Sequence, residues 1–141
     1  MVLFAPELAA CPKEITAIID EIAREPATTA VWLLGSRANG TATTKSDWDV
    51  LVFSAEETTP VASRYEGLDV LRVGSEGNAL LEGKSEDLIQ PFSRFKWSRT
   101  GDREASYMGQ RFRTDTEPRD CSEPPVRLFP CRAILLYEKK G

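Results

Sequence analysis

The chain has 141 residues, which is enough to bury one hydrophobic core but too short for two ordinary domains. It contains no histidine, so imidazole acid–base catalysis, imidazole-dependent catalytic triads and most zinc enzymes are excluded. Its net charge of −4 and isoelectric point of about 5.0 disfavour a basic platform for nucleic acid. These exclusions leave carboxylate and metal chemistry.

Targeting and redox signals are weak. No run approaches the ~18 to 20 consecutive apolar residues of a membrane-spanning helix, and the apolar patch near the N-terminus lacks the basic region of a secretory signal. Cys11, Cys121 and Cys131 form no C-x-x-C pair, so we expect reduced thiols. The expected location is the cytoplasm, without membrane contact.

The first predicted element is an amphipathic helix from Pro12 to Arg24. Pro12 suits a first-turn position and Pro26 lies just past the end. Its apolar positions recur at helical spacing: Ile15, Ile18, Ile19, Ile22 and Ala23. We expect this helix to pack on a sheet and to have no catalytic role.

Two predicted strands follow. The β-branched and apolar run from Thr29 to Leu34 stops at Gly35-Ser36, and a second apolar run extends from Asp47 to Phe53. Because side chains alternate along a strand, Asp47 and Asp49 are predicted to share one face, with Cβ atoms roughly 7 Å apart. Such a pair can bind divalent cations or can simply lie on a solvated edge.

The Gly35-Ser36 pair favours the first interpretation. A glycine at the end of a strand lets the backbone approach a ligand closely, and the following serine can cap a short helix. The serine hydroxyl and nearby N–H groups could then meet an anionic phosphate. A glycine turn opposite two carboxylates is therefore consistent with a cradle for a metal-bound triphosphate.

The segment GSRANGTATTKSDWD, from Gly35 to Asp49, resembles the G-S-x10-D-x-D signature of the DNA polymerase β-like nucleotidyltransferase superfamily, specifically its minimal nucleotidyltransferases. With its flanking strands the resemblance covers about residues 12–75. It implies an α/β (α+β) fold in which a mixed β-sheet carries helices packed on one face. It also implies transfer of a nucleoside monophosphate from a nucleoside triphosphate.

The resemblance implies a third carboxylate on a later strand, and the run from Gly67 to Val73 offers Asp69. Asp47, Asp49 and Asp69 would then be the catalytic and metal-binding residues, holding two Mg²⁺ ions, with Mn²⁺ as an alternative. The nucleotide, ATP by expectation, would meet Gly35, Ser36, Arg37 and Lys45. Arg37 and Lys45 could equally be ordinary surface cations.

The C-terminal part is expected to add a β-hairpin and a loop. Phe92 to Trp97 and Arg103 to Tyr107 are predicted as its strands, with the turn near Thr100-Gly101. In such a strand Phe95 and Trp97 would form an aromatic face that either stacks a base or is half-buried.

Arg111 to Pro130 is predicted as an extended loop, and residues 133–138 as a late strand. The expected plan is one domain, 1–141, with a core of about 12–83 plus 133–138 and an elaboration at 84–130.

The predicted function is Mg²⁺-dependent transfer of a nucleoside monophosphate to a hydroxyl of a protein or small molecule. The acceptor itself is not readable from the sequence; a partner protein such as a toxin fits, and nucleic acid is disfavoured. Two alternatives stay open: a non-catalytic, antitoxin-like module of the same fold that binds a partner, and a metal-dependent phosphohydrolase that uses water.

Overall fold

A computed structural model describes residues 8–40, 42–43, 46–112 and 126–139, and within these ranges one sheet runs through the molecule. The helices are α1 (Lys13–Arg24) and α2 (Gly35–Asn39), with short 3₁₀ helices at Glu86–Leu88 and Phe92–Phe95. The strands are β1 (Thr28–Leu34), β2 (Trp48–Ser54), β3 (Leu68–Val73), β4 (Asn78–Leu81), β5 (Gln90–Pro91), β6 (Ser98–Arg99), β7 (Glu104–Phe112) and β8 (Val126–Glu138).

The sheet is mixed, as expected. Its strand order is β5-β4-β3-β2-β1-β8-β7-β6. The described pairs are antiparallel except that β2 and β3 run parallel, joined by the connection between Ser54 and Leu68. Because β2 and β3 are parallel neighbours, residues at equal depth on the two strands lie side by side.

Helix α1 covers one face of the sheet, and the predicted helix is confirmed. Pro12 immediately precedes its first residue, and the chain leaves the helix at Glu25, just before Pro26. The buried stripe Ile15, Ile19, Ile22 and Ala23 packs in one cluster with the β1 residues Val31 and Leu33 and the β2 residues Val50 and Val52. This layer fixes which way the alternate residues of β2 and β3 point.

An aromatic cluster covers part of the opposite face. Trp97 meets Trp32 edge to face with ring centroids 5.0 Å apart, and Phe92 meets Phe53 in the same way at 5.3 Å. Phe92, Phe95 and Trp97 all pack against the buried residues of this face. Each edge-to-face pair adds about 0.5–1.5 kcal/mol beyond the area it buries.

The hairpin prediction is confirmed only for its last part. Ser98 and Arg99 pair with Ser106 and Ala105, and the turn begins at Thr100. The strand predicted over 92–97 is wrong, since the segment is a 3₁₀ turn ended by Lys96 in the left-handed conformation (φ 49°). The aromatic side chains therefore reach the sheet from a turn, and the alternation with Arg94 and Lys96 does not create two strand faces.

The loop predicted over 111–130 is wrong at both ends. β7 continues to Phe112, and β8 starts at Val126, before the predicted start at 133. Pro130 of β8 faces Met108 of β7, at a position that the pairing with β1 does not reach. Among the described strands, one side of β8 has no partner there, so a proline is tolerated. The remaining part of that prediction, 113–125, lies outside the described residues.

A charge network fixes the connection between β2 and β3. The Arg72 guanidinium donates from Nε to Glu82 Oε2 at 2.7 Å and from Nη2 to Glu25 Oε2 at 3.2 Å. Arg64, from the connection, lies 3.0 Å from Glu25 and 3.4 Å from Glu82, the latter an ion pair without a well-formed hydrogen bond. With 2% of its side chain exposed, Glu82 is a buried carboxylate, and these two arginines are its ion-pair partners.

Among the described helices, none is long and apolar enough to cross a membrane.

Candidate active site

Two carboxylates meet on the face of the sheet opposite α1. Asp49 on β2 is aligned with Asp69 on β3, while their neighbours Trp48, Val50 and Leu68 are buried on the helical face. The side chains of Asp49 and Asp69 interact both by charge and by a hydrogen bond. The structure thus brings together the second acid of the D-x-D pair and the acid chosen from the later strand.

Among the described acids, Asp49 has the most strongly shifted pKa. Burial is the largest cause, followed by the negative charge of Asp69, the hydrogen bond with Asp69 and the charge of Asp47; together they raise the pKa of Asp49 to about 7. Two carboxylates that share such a site need a proton or a cation between them. A perturbed acid in a cleft is typical of a functional site.

Asp47 is placed differently from Asp49. It is exposed and precedes the first residue of β2, and it is not among the residues that line the cavity described below. Its charge still acts on Asp49. Asp49 thus lies within the strand and Asp47 just before it, and the pairing of the two on one strand face stays a prediction.

The Gly35-Ser36 turn joins β1 directly to α2 and lies against Asp49. Gly35 has a φ of +66°, which L-residues with a side chain rarely adopt, and its N–H donates to the Tyr107 hydroxyl at 3.0 Å. A Cβ at this position would overlap Asp49 Oδ2. Ser36 is not a helix cap as predicted, because Leu34 occupies the cap position and Ser36 belongs to the first turn.

Of the two predicted cations, the structure describes Arg37, and it lies away from the cavity. The Arg37 guanidinium stacks 4.3 Å above the Trp48 ring and donates to Ser46 O at 2.8 Å. Arg37 therefore holds the segment just before β2 on the helical face of the sheet. It does not line the cavity. Lys45 lies outside the described residues.

A cavity of about 540 Å³ opens over the two carboxylates. Its polar floor contains Gly35, Ser36, Asp49 and Asp69. Its remaining walls come largely from apolar residues and from the strands after β3; they are Leu34, Asn39, Val50, Leu71, Leu81, Gln90, Phe95, Tyr107, Gly109 and Cys131. The cavity is thus continuous from the glycine turn across the sheet to β5.

Tyr107 is a site residue that sequence reasoning missed. It lies in β7, stacks on Trp97 with ring centroids 6.1 Å apart, and is 8% exposed. Burial raises the pKa of its hydroxyl above the ordinary value, so it stays neutral while it accepts the Gly35 N–H. A second hydrogen bond holds the C-terminal end of α2, where Asn39 Oδ1 accepts the Arg132 N–H at 2.8 Å. No local motif marks either contact, since both depend on pairing across the sheet.

The donor set fits a hard divalent cation. Adjacent carboxylates are the ligands that Mg²⁺ and Mn²⁺ prefer, and a cation would relieve the repulsion that raises the pKa of Asp49. Within the described residues no group of three or more acids, cysteines or histidines is already arranged as a metal cage. Mg²⁺ commonly completes its coordination with water and substrate phosphate, so two protein carboxylates suffice to anchor it.

The fold and the site together define a class of protein. A mixed sheet carries helix α1 on one face and, on the other, a glycine-serine turn beside two aligned carboxylates. The nucleotidyltransferase domain family model matches residues 15–105, and the chain belongs to this family. Comparison with curated proteins and with solved structures gave no match.

Proposed function

We propose that this protein is a metal-dependent enzyme that transfers a nucleoside monophosphate from a nucleoside triphosphate, ATP by first expectation, to a hydroxyl. The acceptor belongs to a small molecule or a protein, with a partner toxin as one case, and the reaction takes place in the cytoplasm. The single observation that carries the proposal is the alignment of Asp49 with Asp69 beside the Gly35 turn, in one continuous cavity. Family membership supports the same reaction class.

Asp49 and Asp69 would hold two Mg²⁺ ions, with Asp47 able to contribute from the strand start. Bound there, the ions would neutralise the triphosphate and lower the pKa of the acceptor hydroxyl. Asp69, the more exposed of the two aligned acids, accepts the hydroxyl proton and orients the attacking oxygen. Gly35 and Ser36 bind the β and γ phosphates through backbone and hydroxyl donors.

One observation favours the non-catalytic alternative. The Gly35 N–H, a donor that a phosphate could use, is already bonded to the Tyr107 hydroxyl. If this bond excluded phosphate, the chain would keep the fold and bind a partner without turnover. Two features would mark that alternative: a misplaced Asp69 or an occluded glycine turn. Asp69 is aligned with Asp49, so only the second sign is relevant.

The test is calorimetric titration of ATP and GTP, with and without Mg²⁺, into the native protein and the Asp49→Asn variant. We expect Mg²⁺-dependent binding that the variant loses, because the anchor of the cation is removed. Asp102→Asn, an exposed acid of the β6–β7 turn outside the cavity, is the matched control and should bind as the native protein does. Binding that is absent, or equal in Asp49→Asn, would overturn the proposal.

Product analysis separates transfer from hydrolysis. With α-labelled ATP, release of free nucleoside monophosphate in the absence of any acceptor identifies a phosphohydrolase. Retention of label until an alcohol or protein is supplied identifies a transferase. The native protein and Asp102→Asn should behave alike in this assay.

A further inference from the structure

The strand order predicts where the acceptor must lie, an inference that depends on the proposed function. In phosphoryl and nucleotidyl transfer the attacking and leaving oxygens are roughly in line through the phosphorus atom. In the proposed function the leaving phosphates lie at Gly35 and Ser36, at the end of β1. The α-phosphorus then lies over Asp49 on β2. The attacking oxygen therefore approaches from the opposite side, over Asp69 on β3.

The cavity extends in that direction. Asp49 is in register with Asp69, Leu71 with Leu81 on β4, and Ala79 with Gln90 on β5. Gln90 lies two strands beyond Asp69, which is roughly 10 Å across the sheet because neighbouring strands are about 4.8 Å apart. It is also displaced along the strands, since its partner Ala79 is in register with Val73. This part of the cavity extends from Asp69 to the side chain of Gln90.

The chemistry of this far end is neutral. Its walls are Leu71, Leu81 and the Phe95 ring, and Gln90 adds one carboxamide that both donates and accepts. Among the described residues that line the cavity, the only charged side chains are Asp49 and Asp69. Bound metal would occupy both carboxylates, so within the described lining a cationic acceptor would find no other acidic side chain, and a polyanion would find no basic one.

We infer that residues Leu71, Leu81, Gln90 and Phe95 form the acceptor subsite, and that it takes an uncharged group with an apolar body and one hydroxyl. The hydroxyl oxygen forms a bond to the α-phosphorus while the bond between that phosphorus and the bridging oxygen breaks. Pyrophosphate leaves with the electron pair of that bond, and the hydroxyl proton passes to Asp69. Such a group can belong to a free small alcohol or to a side chain of a polypeptide.

The test uses ¹⁵N-labelled full chain with Mg²⁺ and α,β-methylene-ATP, which fills the nucleotide site without transfer. Benzyl alcohol and the uncharged peptide acetyl-Leu-Ser-Leu-amide are the two neutral probes; choline carries a hydroxyl on a cationic body. Amide shifts of Leu71, Leu81 and Gln90 report binding. We expect shifts with benzyl alcohol or the peptide, which also identifies the source of the hydroxyl, and none with choline.

Phe95→Leu and Phe92→Leu form a matched pair, since both rings belong to the aromatic cluster and only Phe95 lines the cavity. Phe95→Leu should weaken binding of the neutral probe about fivefold, the value of one aromatic contact, and Phe92→Leu should not. The probe comparison on the native chain stands even if a variant fails to fold.

The outcomes separate the two proposals. If the nucleotide analogue binds and no neutral probe shifts these amides, or if choline shifts them equally, the acceptor subsite is overturned and the proposed function stands. Equal binding of the neutral probe to both phenylalanine variants also overturns it. If the nucleotide analogue itself fails to bind, the proposed function fails, and the acceptor role with it.

Discussion

Gly35 and Asp49 are fitted to one another: the space that a Cβ at position 35 would occupy contains Oδ2 of Asp49. Glycine has no side chain, so this space is free for the carboxylate. Its φ of +66° also lies in a region where other residues are strained. The turn can therefore approach the carboxylate closely only because residue 35 is glycine. One contact thus couples the turn after β1 to the acid on β2.

Gly35→Ala should abolish Mg²⁺-dependent nucleotide binding, because the new methyl group must displace the Asp49 carboxylate. Gly40→Ala is the matched control, since Gly40 also has a positive φ (+76°) but nothing lies within 4 Å of its missing Cβ. That control should lose about 1 kcal/mol of stability from backbone strain and keep nucleotide binding. Calorimetry with ATP and Mg²⁺, beside urea unfolding, checks both. Equal binding by the two variants would contradict the role assigned to this contact.

Asp49→Asn should stabilise the metal-free protein at pH 8. The pKa of Asp49 is raised to about 7 in the folded state from an ordinary 3.8, so between pH 4 and 7 the folded state holds a proton that the unfolded state releases. Stability from this group therefore falls as the pH rises through that window. Asparagine is neutral throughout and avoids the loss. We expect a gain on the order of 2 kcal/mol, reduced from the full shift by solvent screening.

Urea unfolding of both proteins in EDTA at pH 3.5, 6 and 8 measures this gain. The difference between variant and native protein should be near zero at pH 3.5 and grow with pH, and taking the difference cancels the titration of acids that do not interact with Asp49. Adding Mg²⁺ at pH 8 should raise the stability of the native protein only. A gain that is independent of pH would show that burial and charge do not perturb Asp49.

Tyr107→Phe should weaken nucleotide binding about fivefold, because the loss of one hydrogen bond, worth about 1 kcal/mol, frees the glycine turn to reorient. Tyr137→Phe is the control, since Tyr137 packs against the helical face and does not line the cavity. Calorimetric titration of ATP with Mg²⁺ measures both. Tighter binding in Tyr107→Phe would instead show that the hydroxyl occludes a phosphate donor and would favour the non-catalytic alternative.

The parts of the site that the sequence predicted are those encoded by local patterns. The stripe beginning at Ile15 predicts α1, and the alternation of Trp48 and Asp49 predicts which residues face the helices. The alignment of Asp69 with Asp49 follows once β3 is taken as the neighbour of β2. These features depend on periods of 3.6 or 2 residues, which a sequence displays directly.

The remaining features depend on pairing between distant segments. Phe92–Phe95 has the composition of a strand, but an edge-to-face contact of Phe92 with Phe53 and a tilted contact with Trp97 favour a turn that lays the rings on the sheet. Tyr107 reaches Gly35, 72 residues away, through the placement of β7 beside β8. Such contacts leave no local period, because tertiary packing overrides propensity in short segments.

Arg72→Met should destabilise the protein by about 3–5 kcal/mol, because it leaves the buried Glu82 carboxylate without its closest partner. Arg24→Met is the control: Arg24 is 55% exposed and pairs with Asp20 one helical turn away, so its loss should cost about 0.5 kcal/mol or less. Urea unfolding at pH 7 measures both. Equal small losses would mean that the ion pair with Arg64 alone compensates for the burial of Glu82. Since Arg72 lies on the strand that carries Asp69, the destabilised variant should also bind nucleotide more weakly than Arg24→Met.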